Sequence, residues 1–192
     1  PAIKIMDASG MEPLPCPFIT HDLYNFNEDR IVQTIYASGL RMGAREKVHL
    51  LFIPSYLDGK DGVINMPYYD FLTGSDYCIY PSYYEPWGYT PLESISFNIP
   101  CLTTTLSGFG QWVQKEIGHQ PLLSDGVAVI PRDDNNYCQC VNEIATSIIG
   151  MTRLPQSEWH QFAEAAGALA KKAQWKDFIK DYLKAYTLAI KN

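Results

Sequence analysis

Apolar residues gather into four short, nearly continuous runs, at residues 48–54 (VHLLFIP), 77–82 (YCIYPS), 100–105 (PCLTTT) and 126–131 (GVAVIP). Each is compact and β-rich, as strands buried on both faces of a parallel sheet should be. Between them the apolar positions take helical spacing, over roughly residues 27–41, 67–74, 91–98 and 110–118. Strand alternating with helix predicts βαβ units, with right-handed crossovers that put helices on both faces of one sheet.

After the fourth run the pattern turns wholly helical. Asp133 or Asp134 is expected to cap a helix through Gly150, and Ser157 another reaching about Lys172. From Trp175 onward, Phe178, Ile179, Tyr182, Leu183, Tyr186 and Ile190 keep the spacing of a final amphipathic helix. Residues 133–192 thus form an all-helical C-terminal segment. The first 25 residues, with Pro13, Pro15 and Pro17, read as extended loop. DGKDG at residues 58–62 reads as a glycine-rich turn, since no Ser or Thr follows its lysine as a phosphate loop requires.

A length of 192 residues suits one domain with a helical attachment, and 46% hydrophobic content is enough to bury a core, which argues against disorder. A net charge of −6 argues against a nucleic-acid partner. Cys16, Cys78, Cys101, Cys138 and Cys140 are too sparse for a disulfide scaffold, and the one-residue gap between the last two suits zinc poorly. They read as free thiols of a reducing, intracellular compartment. No signal peptide and no apolar run of membrane-spanning length is present, so no membrane partner is expected. The first residue is Pro1 rather than Met, which suggests a piece of a longer chain.

Residues 81–93, PSYYEPWGYTPLE, follow neither periodicity. They begin at the carboxyl end of the second run, where open α/β sheets place their ligand crevice. Thr90, Pro91 and Glu93 carry the signature of a capping box, with Thr90 as N-cap, Pro91 first in the helix and Glu93 third. Glu93 then either returns a hydrogen bond to the Thr90 backbone or serves a ligand. The helix start leaves free N–H groups around residues 89–92, and Gly88 before them permits close approach of an anion such as phosphate. Capping cannot account for Glu85, and an unpaired carboxylate among aromatics is costly unless exposed or used. A second loop, TTTLSGFG at residues 103–110, brings hydroxyls and glycines to the same sheet edge.

Glu85 and Glu93 stand eight residues apart, the E-x7-E arrangement of retaining glycosyltransferases with two Rossmann-like domains, the GT-B fold. PSYYEPWGYTPLES with PCLTTTLSGFG closely resembles the glycogen synthases of the animal and fungal type. CPFITHDL at 16–23, MPYYDFLTGSDYCIYPS at 66–82 and QWKDFIKDYLKAYTLAIKN at 174–192 resemble further family segments in the same order. The resemblance implies that residues 1–192 are most of a C-terminal, Rossmann-like donor domain, lacking its beginning. It implies a cytoplasmic hexosyltransferase that moves glucose from UDP-glucose to the 4-hydroxyl ending an α-1,4-glucan. Configuration is retained, with no cofactor and no metal. Its partners are the nucleotide-sugar donor, the α-glucan acceptor, the N-terminal GT-B domain of the same chain and, at full length, further copies in a homo-oligomer. Carried over, Glu85 faces the transferred glucose as catalytic candidate and Glu93 holds the ribose hydroxyls. Tyr68 stacks on the uracil, while Trp87, Gly88, Tyr89 and Thr90 belong to the donor-binding turn and helix start.

The family's pyrophosphate-binding arginine and lysine would lie before Pro1, so these 192 residues alone are expected not to elongate glucan. The family's arginine-rich helix that senses glucose 6-phosphate corresponds to residues 152–174, which hold only Arg153, Lys171 and Lys172; no activation by that ligand is expected. Ile53 stands where the family has His before the proline. The final helix is expected to pack on the absent N-terminal domain and to expose its aromatic face here. Two other readings stay open: a transferase using ADP-glucose, of the starch- or sucrose-synthase kind, and a non-catalytic nucleotide-sugar module. Retention of both glutamates argues against the latter.

Overall fold

A computed structural model describes residues 19–40 and 47–191. The chain divides into two compact units, Pro1–Phe71 and Leu72–Asn192. In the first, a 3-10 turn (Phe26–Glu28) leads into α1 (Arg30–Ala37), whose N-cap Asp29 accepts from the amides of Ile31 and Val32 at 2.9 and 3.0 Å. Ile19, Val32 and Ile35 form a small core with Leu23, Phe26, Leu50 and Phe52.

The run at 48–54 is not a strand. Among the described residues it makes one bridge, Ile19 to Phe52, while Val48 and Leu51 stay exposed. A strand needs a partner along its length, and among the described residues the backbone pairing of this run is that bridge, with a hydrogen bond from Thr20 N to Phe52 O at 3.0 Å. DGKDG is a turn, as its composition suggests. Asp61 draws in the amides of Val63, Ile64 and Asn65 at 2.7–3.0 Å, so this set of N–H groups is already filled by a carboxylate. Burial pushes the Asp61 carboxyl up, but those amides outweigh it and leave it below the ordinary range. His21 closes over the turn, its Nε2 3.1 Å from Asp61 O. The unit ends within α2 (Tyr68–Leu72).

The second unit carries the sheet. β1 (Cys78–Ile79), β2 (Cys101–Thr104) and β3 (Val127–Ile130) are parallel, in the order β1-β2-β3. Cys101 pairs with Val127 and Leu102 with Ala128, through to Thr104 with Ile130. Every residue of β2 and β3 is buried; β3 is wholly apolar, while the two threonines that end β2 have hydroxyl partners in Ser107 and Ser82 O.

Alternate residues divide the core into two. Cys101, Val127 and Val129 meet Ile95 of α3 (Tyr89–Ser96), Phe109 and Val113 of α4 (Gly108–Ile117), and Ala166 and Leu169 of α6 (Gln156–Ala170). Leu102, Ala128 and Ile130 meet Cys140 of α5 (Tyr137–Arg153) on the opposite face. Helices therefore clad both faces, as expected for this α/β class. Glycines set the closest approaches: a Cβ on Gly126 would strike the α6 backbone at Ala166, and one on Gly110 would strike Thr104 O. Among the described residues Cys78, Cys101, Cys138 and Cys140 are free thiols, Cys101 and Cys140 buried; Cys16 lies outside them.

Helix starts differ from their sequence signals at three places. α5 begins after Asn136 rather than Asp133 or Asp134, because Asp133 is used one step earlier, accepting from Asn135 N at 2.7 Å. α6 begins after Pro155, whose extended backbone (φ −61°, ψ 144°) sets the turn; Ser157 lies inside the helix. The third case is α3, below. Most of the proline-rich N-terminal loop, residues 1–18 with all three of its prolines, and Arg41 at the expected end of α1 lie outside the described residues. α7 (Trp175–Lys191) follows the amphipathic pattern but buries none of its residues; Trp175, Tyr182, Leu183 and Tyr186 are exposed.

Candidate functional site

Three strand ends open on the same edge, and polar side chains lace their loops together. After β1, Tyr80 N still bonds to Leu102 O at 2.8 Å, and the chain then leaves the sheet through Pro81 and Ser82. Ser82 O accepts from the Thr104 hydroxyl at the end of β2. Glu85 N donates to Leu106 O at 3.2 Å and Glu85 O accepts from Gly108 N at 3.0 Å, so Glu85 and Ser107 form a parallel bridge. Phe109 N donates to Trp87 O at 2.6 Å. The Glu85 segment is thereby a short extension of the sheet, fixed by its neighbour's loop. Gly108 makes this possible, since a Cβ there would overlap Pro86 O.

The Glu85 side chain is half-buried, and its Oε2 accepts from Ser82 Oγ at 2.7 Å. The other carboxylate oxygen is the one left for further donors or an electrophilic carbon. A methyl built on Gly88 would come 3.3 Å from the same Oε2, so the carboxylate lies directly beside the turn that opens α3.

That turn overturns the capping box. The N-cap of α3 is Gly88, at φ 119° and ψ 77°, and no side chain caps the helix. Thr90 is the second helical residue, Pro91 the third and Glu93 the fifth. Glu93 is therefore beyond the position from which a capping box returns its bond. The positive φ at Gly88 is a conformation L side chains rarely adopt, and Phe109, Pro91 and Glu85 crowd its α-carbon. Tertiary packing fixes the start two residues earlier than the sequence signal.

The consequence is an open helix terminus. The amides of Tyr89 and Thr90 fall in the first turn, where intrahelical partners are lacking, and Pro91 carries no N–H at all. Tyr89 and Thr90 are exposed, and Glu93 is half-buried one turn further on. Trp87 anchors the turn from behind, its ring 6.0 Å from Phe109, 6.1 Å from Trp112 and 5.3 Å from Phe178 of α7. Tyr68 is the first residue of α2, in the first unit, its ring 5.3 Å from that of Tyr69.

Two residues that sequence reasoning passed over belong to this edge: Ser82, which holds the Glu85 carboxylate, and Arg132 just past β3. The Arg132 guanidinium donates to Pro81 O at 3.2 Å and lies 5.2 Å from the centre of the Tyr83 ring. The available signal was position: each lies at most three residues beyond a strand end. Among the described residues no group of three or more His, Cys, Asp or Glu side chains is placed to hold a metal ion.

Comparison of the whole chain with known proteins identifies its family. The family model for glycogen synthase matches residues 4–192. The chain belongs to the glycogen synthase family. It is 30% identical to a glycogen (starch) synthase of Neurospora crassa over 176 residues, 91% of this chain and 24% of that protein. It is 26% identical to isoform 2 of Saccharomyces cerevisiae over 91% of this chain, and 31% identical to the human liver protein over 71%. The chain thus spans about a quarter of the length of the curated synthases it matches. No described helix is long and apolar enough to cross a membrane.

Proposed function

We propose that this chain supplies the donor-binding half of a retaining glucosyltransferase that extends an α-1,4-glucan from UDP-glucose in the cytoplasm. The observation that carries the proposal is the Glu85 carboxylate, fixed by Ser82 beside Gly88 and the open start of α3. In this reading the diphosphate sits on the amides of Tyr89 and Thr90, where the helix dipole favours negative charge. As the C1–O bond to UDP breaks, charge grows on the diphosphate, and the same amides stabilise the leaving group. The acceptor's 4-hydroxyl oxygen bonds to C1 on the face the UDP leaves, and the acceptor proton departs with the products. Glu85 faces the sugar and stabilises positive charge developing at C1. Glu93, one turn into α3, accepts from the ribose hydroxyls, and Tyr68 offers a flat face to the uracil. Trp87 contributes by anchoring the turn. The remaining partners are the acceptor glucan, the N-terminal domain of the same polypeptide and, at full length, further copies of the protein; no cofactor or metal is needed.

Calorimetric titration of the full-length protein with UDP and ADP tests the donor. UDP binding that is lost in Glu93→Ala supports the proposal. Tighter binding of ADP would replace it with an ADP-glucose transferase, and binding of neither would remove it.

A further inference from the structure

We propose that Arg132 is a positioning residue for the transferase site, holding the loop that carries Glu85. The inference rests on the function proposed above. Arg132 stands two residues beyond β3, yet its contacts reach the other two strand ends. Its backbone N–H donates to Thr105 Oγ1 at 3.1 Å, and Thr105 N donates back to Ile130 O at 3.0 Å, which ties the end of β3 to the end of β2. Its guanidinium then crosses to Pro81 O, past the end of β1, at 3.2 Å and packs 5.2 Å from the centre of the Tyr83 ring. One side chain therefore grips the loop on both sides of Ser82. The neighbouring Ser82 carbonyl is held by Thr104, and the Ser82 hydroxyl holds Glu85. The chain of contacts runs Arg132 to Pro81, along one peptide to Ser82, and from Ser82 to the carboxylate.

β1 contributes only two paired residues, so backbone pairing alone gives the loop a short base. The loop's tyrosines do little to replace it: Tyr83 and Tyr84 are 53% and 81% exposed, and only Tyr83 lies against the arginine. A planar guanidinium suits the task because it donates in its plane and stacks on a ring face with the same group. Lysine can do the first and not the second. No contact between Arg132 and Glu85 is needed; it acts on the carboxylate through Pro81 and Ser82.

The test uses Arg132→Met and Arg132→Lys in the full-length protein, with two readouts. Steady-state transfer should show kcat reduced by roughly 10- to 100-fold in Arg132→Met with KM for the nucleotide sugar nearly unchanged. Arg132→Lys should recover part of that kcat. Amide hydrogen exchange should quicken at Glu85 and Gly108 in Arg132→Met and stay slow at Cys101, whose amide bonds to Gly126 O within the sheet. Unchanged kcat overturns the inference. So does a rise in KM at constant kcat, which would make Arg132 a donor contact. Exchange that quickens equally at Cys101 overturns it too, as general destabilisation. Exchange needs no turnover, so a wild-type protein that transfers no glucose would remove the proposed function while the loop's dependence on Arg132 is still measured.

Discussion

α3 and α4 begin on the same edge of one sheet, each after a strand-end loop, and they end their first turns in opposite ways. α4 is closed. Its N-cap Ser107 is fully buried, accepts from Gly110 N at 2.9 Å and shares a 3.0 Å hydrogen bond with Thr103. α3 is open: its N-cap is a glycine at positive φ, no side chain caps it, and its first residues face solvent beside a carboxylate. A glycine N-cap costs only about a few tenths of a kcal/mol relative to serine and takes positive φ without strain, so the open start is stably held at little local cost. The closed terminus is architecture. The open one is where we place the donor diphosphate.

The widest separation between the two should come from Glu85. Glu85→Gln keeps the size and an acceptor for Ser82 but loses the charge, and steady-state transfer should fall about 10³-fold in kcat with donor binding retained. Near-normal turnover would detach the open terminus from chemistry. Gly88→Ala is next. Its φ is unfavourable for alanine and the new methyl meets Phe109, Pro91 and Glu85, so we expect donor affinity to fall by tenfold or more and stability by about 1–3 kcal/mol. Ser107→Ala should do the reverse. Thermal unfolding should show a loss of about 1–2 kcal/mol, from the missing cap and the Thr103 hydroxyl left without its partner, while calorimetry shows donor affinity unchanged. Comparable effects of Gly88→Ala and Ser107→Ala on donor binding would erase the contrast.

The smallest effect concerns regulation. Arg153 ends α5, while Lys171 and Lys172 follow the far end of α6, a helix of 15 residues and so about 22 Å long. Charges that far apart cannot close on one phosphate. Glucose 6-phosphate added to the full-length protein should leave the rate unchanged; a several-fold rise would show that basic residues elsewhere assemble a site.

The contrast also shows what the sequence could convey. α3 and α4 both begin two residues before their expected starts, but at α4 the cap is local, Ser107 bonding Gly110 N three residues on, a signal the sequence carried. β2 and β3 were legible because burial on both faces favours compact, β-rich runs with few polar residues, the threonines of β2 included. The run at 48–54 looks similar in sequence but among the described residues pairs through a single bridge, and pairing is a tertiary property. The α3 start was misread for a related reason. Thr90-Pro91-Leu92-Glu93 is a good local cap, yet Gly88, pressed between Phe109 and Glu85, sets the helix from outside it. Glu85 and Gly88 themselves stood out in the motif, whereas Ser82 and Arg132 did not. Their roles arise from contacts across strand ends, and Arg132 meets Pro81 over 51 residues of sequence.

A structure of the full-length protein with UDP-glucose tests the central claim most directly. The account predicts diphosphate oxygens about 2.7–3.2 Å from the amide nitrogens of Tyr89 and Thr90, with Glu85 facing the glucose and Glu93 on the ribose. A diphosphate bound elsewhere, with Glu93 turned onto the Thr90 backbone, would contradict it.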